Sequence, residues 1–179
     1  DALTGLPGVE SARLLLDAWL AAGEGAPACV HALLLGLRRF DAVNFTYGAA
    51  AGDAALALVA ARMSHFAASE LDCAWHLSRG GGGSFLLVAN VQCSRERWQL
   101  FAQQLADVVA RPIAIPTGML RLSPRLALMR GLTNESVDSL LDRLGQALAS
   151  AKDVKGARIA WADGRVARPG RSAVQLEAD

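Results

Sequence analysis

Cys73-Ala74-Trp75-His76-Leu77-Ser78-Arg79-Gly80-Gly81-Gly82-Gly83-Ser84-Phe85-Leu86-Leu87-Val88-Ala89-Asn90-Val91 is the stretch on which the fold turns. Two apolar runs, residues 73–77 and 85–91, flank a block of glycines, which is the pattern of a β-hairpin closed by a glycine turn. Glycine at such a turn tolerates positive φ and lets backbone N–H groups come close to a ligand. A glycine run alone more often makes only a turn, so its meaning rests on what surrounds it.

Moving outward, residues 30–37 form a continuous apolar run of strand length, long enough for a buried central strand. Residues 9–22 read as a helix with Leu14, Leu15, Ala18 and Trp19 near helical spacing, followed by a break over residues 23–27. Residues 53–68 predict an alanine-rich helix with Leu56, Val59, Ala60 and Met63 on one side. Residues 95–110 predict another, with Trp98, Phe101, Leu105 and Val109 in register. Pro112 and Pro116 close that segment, and residues 119–129 read as a strand in which Pro124 requires an edge position or a bulge. Asn134-Glu135-Ser136-Val137 reads as a helix start leading into residues 140–152, with Gly156 as its break and residues 158–161 as a last short strand. No internal repeat is evident. This order predicts an α+β sandwich, a central mostly antiparallel sheet with helices against its faces.

At 179 residues, 53% hydrophobic and 20% charged, the chain is one compact domain with a sizeable core. A net charge of +1 makes no case for nucleic acid or for a charged membrane surface. The apolar runs are interrupted by charges before a bilayer span is reached, and no secretory signal is visible. Cys29, Cys73 and Cys93 form no CxxC pair and no zinc-like spacing with His31, His65 or His76. They read as reduced, mostly buried thiols in the cytoplasm.

The chain opens Asp1-Ala2-Leu3-Thr4-Gly5-Leu6-Pro7. Leu35-Gly36-Leu37-Arg38-Arg39-Phe40, Asn44-Phe45-Thr46-Tyr47-Gly48 and Gly52-Asp53 then precede the hairpin. With Gly81-Gly82-Gly83-Ser84-Phe85 in that hairpin, the chain from Asp1 to about Trp161 resembles the GGDEF domain of diguanylate cyclases. Those enzymes condense GTP into cyclic di-GMP on metal ions. The resemblance implies a five-stranded, nucleotide-cyclase palm-like sheet over residues 1–162 and a place in bacterial cyclic di-GMP signalling. The chain starts inside the family's opening motif, which reads as a piece of a longer protein. Residues 163–179 read as a linker. Its end, Gln175-Leu176-Glu177-Ala178-Asp179, resembles the helix that leads into an EAL phosphodiesterase domain.

Joining nucleotides through phosphates needs a divalent metal, and Mg²⁺ favours carboxylate oxygens. The resemblance places those carboxylates at Gly36, Arg38, Gly83 and Ser84, none of which carries one. The sequence therefore predicts a degenerate domain with no metal and no catalytic residue. Asn44 and Asp53 match the positions that read the guanine edge. Lys152 matches a phosphate-contacting lysine, and Gly156 stands where an arginine is expected. Ser123-Pro124-Arg125 stands where the family usually has Ser-Ile-Gly. The window Asp72-Cys73-Ala74-Trp75 lacks the Arg-x-x-Asp of the product-inhibition site.

Each retained residue also has a plain structural reading. Asp53 suits a helix N-cap, Asn44 suits the turn before Gly48, and Lys152 suits a helix C-terminus. Arg38 and Arg39 read either as phosphate holders in place of metal or as an exposed basic pair. The function expected is a non-catalytic regulatory or interaction module acting on an attached EAL domain, with a homodimer as a further possibility. The alternative is a sensor that binds GTP without turnover, needing no other cofactor. A third reading, an active cyclase with acids from elsewhere, has only Asp41 and Asp53 near the motifs.

Overall fold

The computed structural model describes residues 1–22, 30–131, 135–153 and 158–162. In chain order these form α1 (Val9–Ala22), β1 (Val30–Arg38), α2 (Phe40–Tyr47), α3 (Ala49–Glu70), β2 (Ala74–Arg79) and β3 (Ser84–Asn90). They continue with α4 (Arg95–Val109), β4 (Ile113–Ile115), β5 (Gly118–Leu120), β6 (Ser123–Arg130), α5 (Val137–Asp153) and β7 (Ile159–Trp161). The main sheet has five strands in the order β2-β3-β1-β6-β7, antiparallel except for the parallel β6–β7 pair. The expected α+β sandwich with a mostly antiparallel five-stranded sheet is the fold observed.

β1 is apolar at nearly every position because helices cover both its faces. Leu33, Leu35 and Leu37 point with Phe85, Leu87, Leu126 and Leu128 into a core closed by α3 and α4. Val30 and Ala32 share the opposite core with Leu86, Val88, Ala127 and Met129, closed by α1 and α5. Trp98 of α4 is buried, stacks on Phe101 with ring centroids 5.1 Å apart, and donates from Nε1 to the Ala32 carbonyl at 3.1 Å. α4 thereby bonds to the backbone of the central strand as well as packing on it. Ser94 caps α4 by accepting from the Arg97 N–H, and Ser136 accepts likewise from Ser139 at the start of α5.

Several elements depart from the sequence reading. α3 begins at Ala49, a full turn before Asp53, with Gly48 at φ 90° as its boundary. The direct succession of α2 and α3 across one glycine was hidden by the short, weakly patterned stretch 40–47. In α1 the buried residues are Ala12 and Leu16, with Trp19 packed beside them, whereas Leu14 is exposed. The span 119–129 is two strands, β5 pairing with an unforeseen β4 and β6 joining the main sheet. β6 is an interior strand, but at Pro124 its outer side is a local edge. The proline is tolerated because it is the second residue of β6, before the β7 pairing, which covers Leu126, Ala127 and Leu128. Cys73 and Cys93 are free but only half-buried, while Cys29, Gly156, Asn134 and residues 163–179 lie outside the described residues.

The opening motif fastens the N-terminus to the hairpin. The Asp1 carboxylate accepts from the Leu3 and Thr4 N–H groups at 2.9 Å and from the Thr4 hydroxyl at 2.8 Å. This Asx-type turn delivers Pro7, whose carbonyl accepts from Arg79 N–H at 2.8 Å. Arg79 also donates from Nη2 to the Gly82 carbonyl at 3.0 Å, so one side chain bridges opening motif and glycine turn.

Trp98→Ala is expected to cost about 3–5 kcal/mol, from the lost ring volume and the lost bond to β1. Urea unfolding with an unchanged m-value measures it. Asp1→Ala is expected to cost about 1 kcal/mol, on the scale of a lost cap and not of an ion pair. The same change should speed amide exchange at Arg79, which hydrogen-exchange mass spectrometry reads directly.

Candidate functional site

The C-terminal end of β1 gathers the residues that the sequence singles out. α2 starts two residues after Arg38, the glycine turn lies beside it, and β6 enters the sheet there. Phe40 and Leu37 lie 3.4 and 3.5 Å from where a Cβ on Gly83 would sit, so the hairpin tip rests on the start of α2. Arg39, the joint between β1 and α2, has φ 58°, an uncommon left-handed conformation for a residue other than glycine. It is exposed, whereas Arg38 is half-buried.

One row of the sheet carries two of the four positions where the resemblance puts carboxylates, Gly36 and Ser84. Gly36 pairs with Ser84 of β3 on one side and with Arg125 of β6 on the other. Directly opposed residues share a face. The three therefore lie together on the α1/α5 side, and Arg38, opposite Ser123, is diagonal to Arg125. The Ser84 hydroxyl donates to the Gly81 carbonyl at 2.7 Å, inside the turn. A Cβ on Gly80 would come within 2.4 Å of that hydroxyl oxygen, so a side chain there would displace the Ser84 hydroxyl from this position. Gly82, at φ 61°, supplies the left-handed turn position, and Gly81 completes the turn. Phe85 is fully buried and belongs to the core beneath the site.

Arg125 is the residue that sequence reasoning noted but gave no role. It is 8% exposed, donates from Nη1 to the Pro124 carbonyl at 3.1 Å, and leaves Nε without a partner. Burial pushes its guanidinium below the ordinary arginine value, and the charges of Arg38 and Arg158 push the same way. It remains cationic, as arginine does in proteins. Its signal in the sequence is a charge inside an otherwise apolar strand, paired with a glycine where an acid is expected. These residues do not fit a divalent cation. Gly36 and Gly83 offer no side-chain oxygen, Ser84 is turned into the hairpin, and a guanidinium stands in the row. Among the described residues no cluster of three or more His, Cys, Asp or Glu is placed to hold a metal.

The base-reading pair sits one step away. Asn44, in the last turn of α2, lays its side chain over Gly52, where a Cβ would fall 1.7 Å from Oδ1. The carbonyl of Asn44 accepts from Gly48 N–H at 2.9 Å, so its backbone holds the turn while its amide side chain is exposed. Asp53 follows Gly52 and is exposed in the second turn of α3. It is not the N-cap, because the helix already began at Ala49, and no capping bond uses its carboxylate. Asn44 and Asp53 are thus brought to one corner beside the sheet end. Lys152 lies in the last turn of α5, which leads to β7 opposite Leu126 and hence to this same end, but its side chain lies outside the described residues.

Comparison with known proteins agrees with this arrangement. Residues 1–158 match the family model described as diguanylate cyclase, GGDEF domain. The uncharacterized protein Rv1354c of Mycobacterium tuberculosis is 32% identical over 161 residues, covering 89% of this chain and 25% of that protein. The uncharacterized protein sll1895 of Synechocystis is 26% identical over 156 residues, covering 86% of this chain and 22% of that protein. The chain thus spans about a quarter of the length of the curated relatives it matches. Among solved structures, the diguanylate cyclase SiaD of Pseudomonas aeruginosa, in complex with its activator SiaC, superposes with a TM-score of 0.80. It is 23% identical, covering 90% of this chain and 60% of that one. The GGDEF domain of DgcB from Caulobacter crescentus, in complex with c-di-GMP, gives 0.79 at 20% identity, covering 90% and 94%. The palm-like sheet, the glycine hairpin and the family match place this chain in the GGDEF domain family.

Proposed function

We propose that this GGDEF domain is degenerate and catalytically inactive, and serves as a regulatory and interaction module in cyclic di-GMP signalling. The observation that carries the reading is the row Ser84–Gly36–Arg125, which holds no carboxylate and contains a permanent positive charge. Phosphoryl transfer to a nucleotide hydroxyl needs metal-held charge on both attacking and leaving oxygens. A site that repels a cation cannot assemble that arrangement.

The output in this reading is conformational, acting on an EAL phosphodiesterase in the same polypeptide. The curated relatives are about four times as long as the matched region, which leaves room for such a neighbour. A cytoplasmic setting suits the free thiols of Cys73 and Cys93. No described helix is long and apolar enough to cross a membrane.

A second reading, a GTP-binding sensor, is favoured by one observation. Asp53 keeps an exposed carboxylate free of capping duty beside Asn44, a combination suited to the N1–H and N2–H donors of guanine. Binding would then bias the neighbouring domain only through different affinities in its two conformations.

Incubation with millimolar GTP and Mg²⁺ or Mn²⁺, followed by chromatographic detection of cyclic di-GMP, is expected to give no product above a no-protein control. Any protein-dependent product overturns the inactive reading.

A further inference from the structure

The guanidinium of Arg125 occupies an electrostatically unusual place. It is buried, its Nε has no partner, and its Nη1 is satisfied only by the carbonyl of the preceding residue. Arg38 lies diagonal to it on the same face, and Arg158 is close enough to add to the repulsion. Arg158 has a counter-charge in Asp107, at 3.1 Å. Neither Arg38 nor Arg125 forms an ion pair among the described residues. Like charges set across neighbouring strands destabilise a sheet, and a buried charge without a partner costs more. A fold carries such an arrangement at a net cost unless something negative completes it.

Gly36 contributes no side chain, and the Ser84 hydroxyl is turned inward to Gly81, so Arg125 is the row's only long side chain. A guanidinium offers forked donors that match phosphate oxygens, and its charge needs no bound ion.

We propose that Arg125, with Arg38 beside it, forms a phosphate-binding site that works without metal, the guanidiniums supplying the charge that carboxylate-held cations would otherwise bring. The ligand class is a polyphosphate anion, free or as the tail of a nucleotide whose base reaches Asn44 and Asp53. This rests on the reading of the row as a site without divalent metal. It adds a specific consequence: Mg²⁺, by shielding the phosphates, weakens binding here.

Calorimetric titration of the chain at low ionic strength, with GTP and with inorganic triphosphate, tests the inference in EDTA and again with Mg²⁺. The expected result is binding in EDTA that falls severalfold when Mg²⁺ is added. Arg125→Gln should weaken it at least tenfold and Arg38→Gln less. Thermal melting of each variant without ligand separates lost binding from lost folding, and Arg125→Lys, which keeps the charge but not the fork, should bind with intermediate affinity. Tighter binding of GTP than of triphosphate, lost in Asp53→Ala, identifies the nucleotide form, whereas equal binding identifies a free polyphosphate site. No binding of either probe at millimolar concentration in EDTA overturns the inference, as does binding that requires Mg²⁺ or survives unchanged in folded Arg125→Gln. Cyclic di-GMP formed in the Mg²⁺ arm would instead overturn the inactive reading, so the two failures are told apart.

Discussion

The pairing of β1 with β3 on one side and β6 on the other is the constraint on which both core and site depend. It runs from Val30↔Asn90 to Gly36↔Ser84 against β3, and from His31↔Arg130 to Arg38↔Ser123 against β6. A slip of one residue would turn Leu33, Leu35 and Leu37 out of the α3/α4 core, a loss of several buried side chains at about 1.5–3 kcal/mol each. The register is therefore fixed by hydrophobic burial far from the chemistry. Once it is fixed, residues 36, 84 and 125 must share a row, whatever their side chains. Function at this end of the sheet can change by substitution in the row without any change in the fold, and the proposed loss of activity would be a change of this kind.

Much of this was legible beforehand because the signals were strong where burial is complete. The apolar run of β1, the glycine hairpin and the helical register of Trp98, Phe101, Leu105 and Val109 all follow from faces that must be covered. The failures come where burial is partial or local. α2 has only Phe40 and Val43 buried among eight residues, so its pattern is too short to read. In α1, the exposed Leu14 imitates a core position, and only packing on the sheet and α5 picks out Ala12 and Leu16. Asp53 suggested a cap because a carboxylate after glycine resembles a helix start, yet Gly48, at φ 90°, had already set the boundary.

The candidate site was legible residue by residue but not as an arrangement. Gly36 and Arg125 lie nearly ninety positions apart in the chain, and each on its own reads as a single departure from the family pattern. Only the β1–β6 register makes them neighbours. The same holds for Asp1 and Arg79, whose joint hold on the glycine turn requires the hairpin to have folded against the opening motif. Pairing across a sheet is non-local information, and one sequence supplies no direct measure of it.

The substitution of guanidinium for cation also separates binding from turnover. Opposite unit charges about 4 Å apart near a protein surface attract by about 4 kcal/mol, so one or two arginines can hold a phosphate without metal. A divalent ion does something further: it withdraws electron density from a coordinated hydroxyl and lowers its pKa, which readies it for attack. An arginine donates hydrogen bonds but takes up no oxygen as a ligand and does not give up its proton near neutral pH. In the proposed site, a row that has lost its carboxylates and carries Arg125 beside Gly36 binds the charge of a nucleotide tail while leaving its phosphates intact. In this proposal the site responds to occupancy alone, which is the property a regulatory domain needs and a cyclase must avoid.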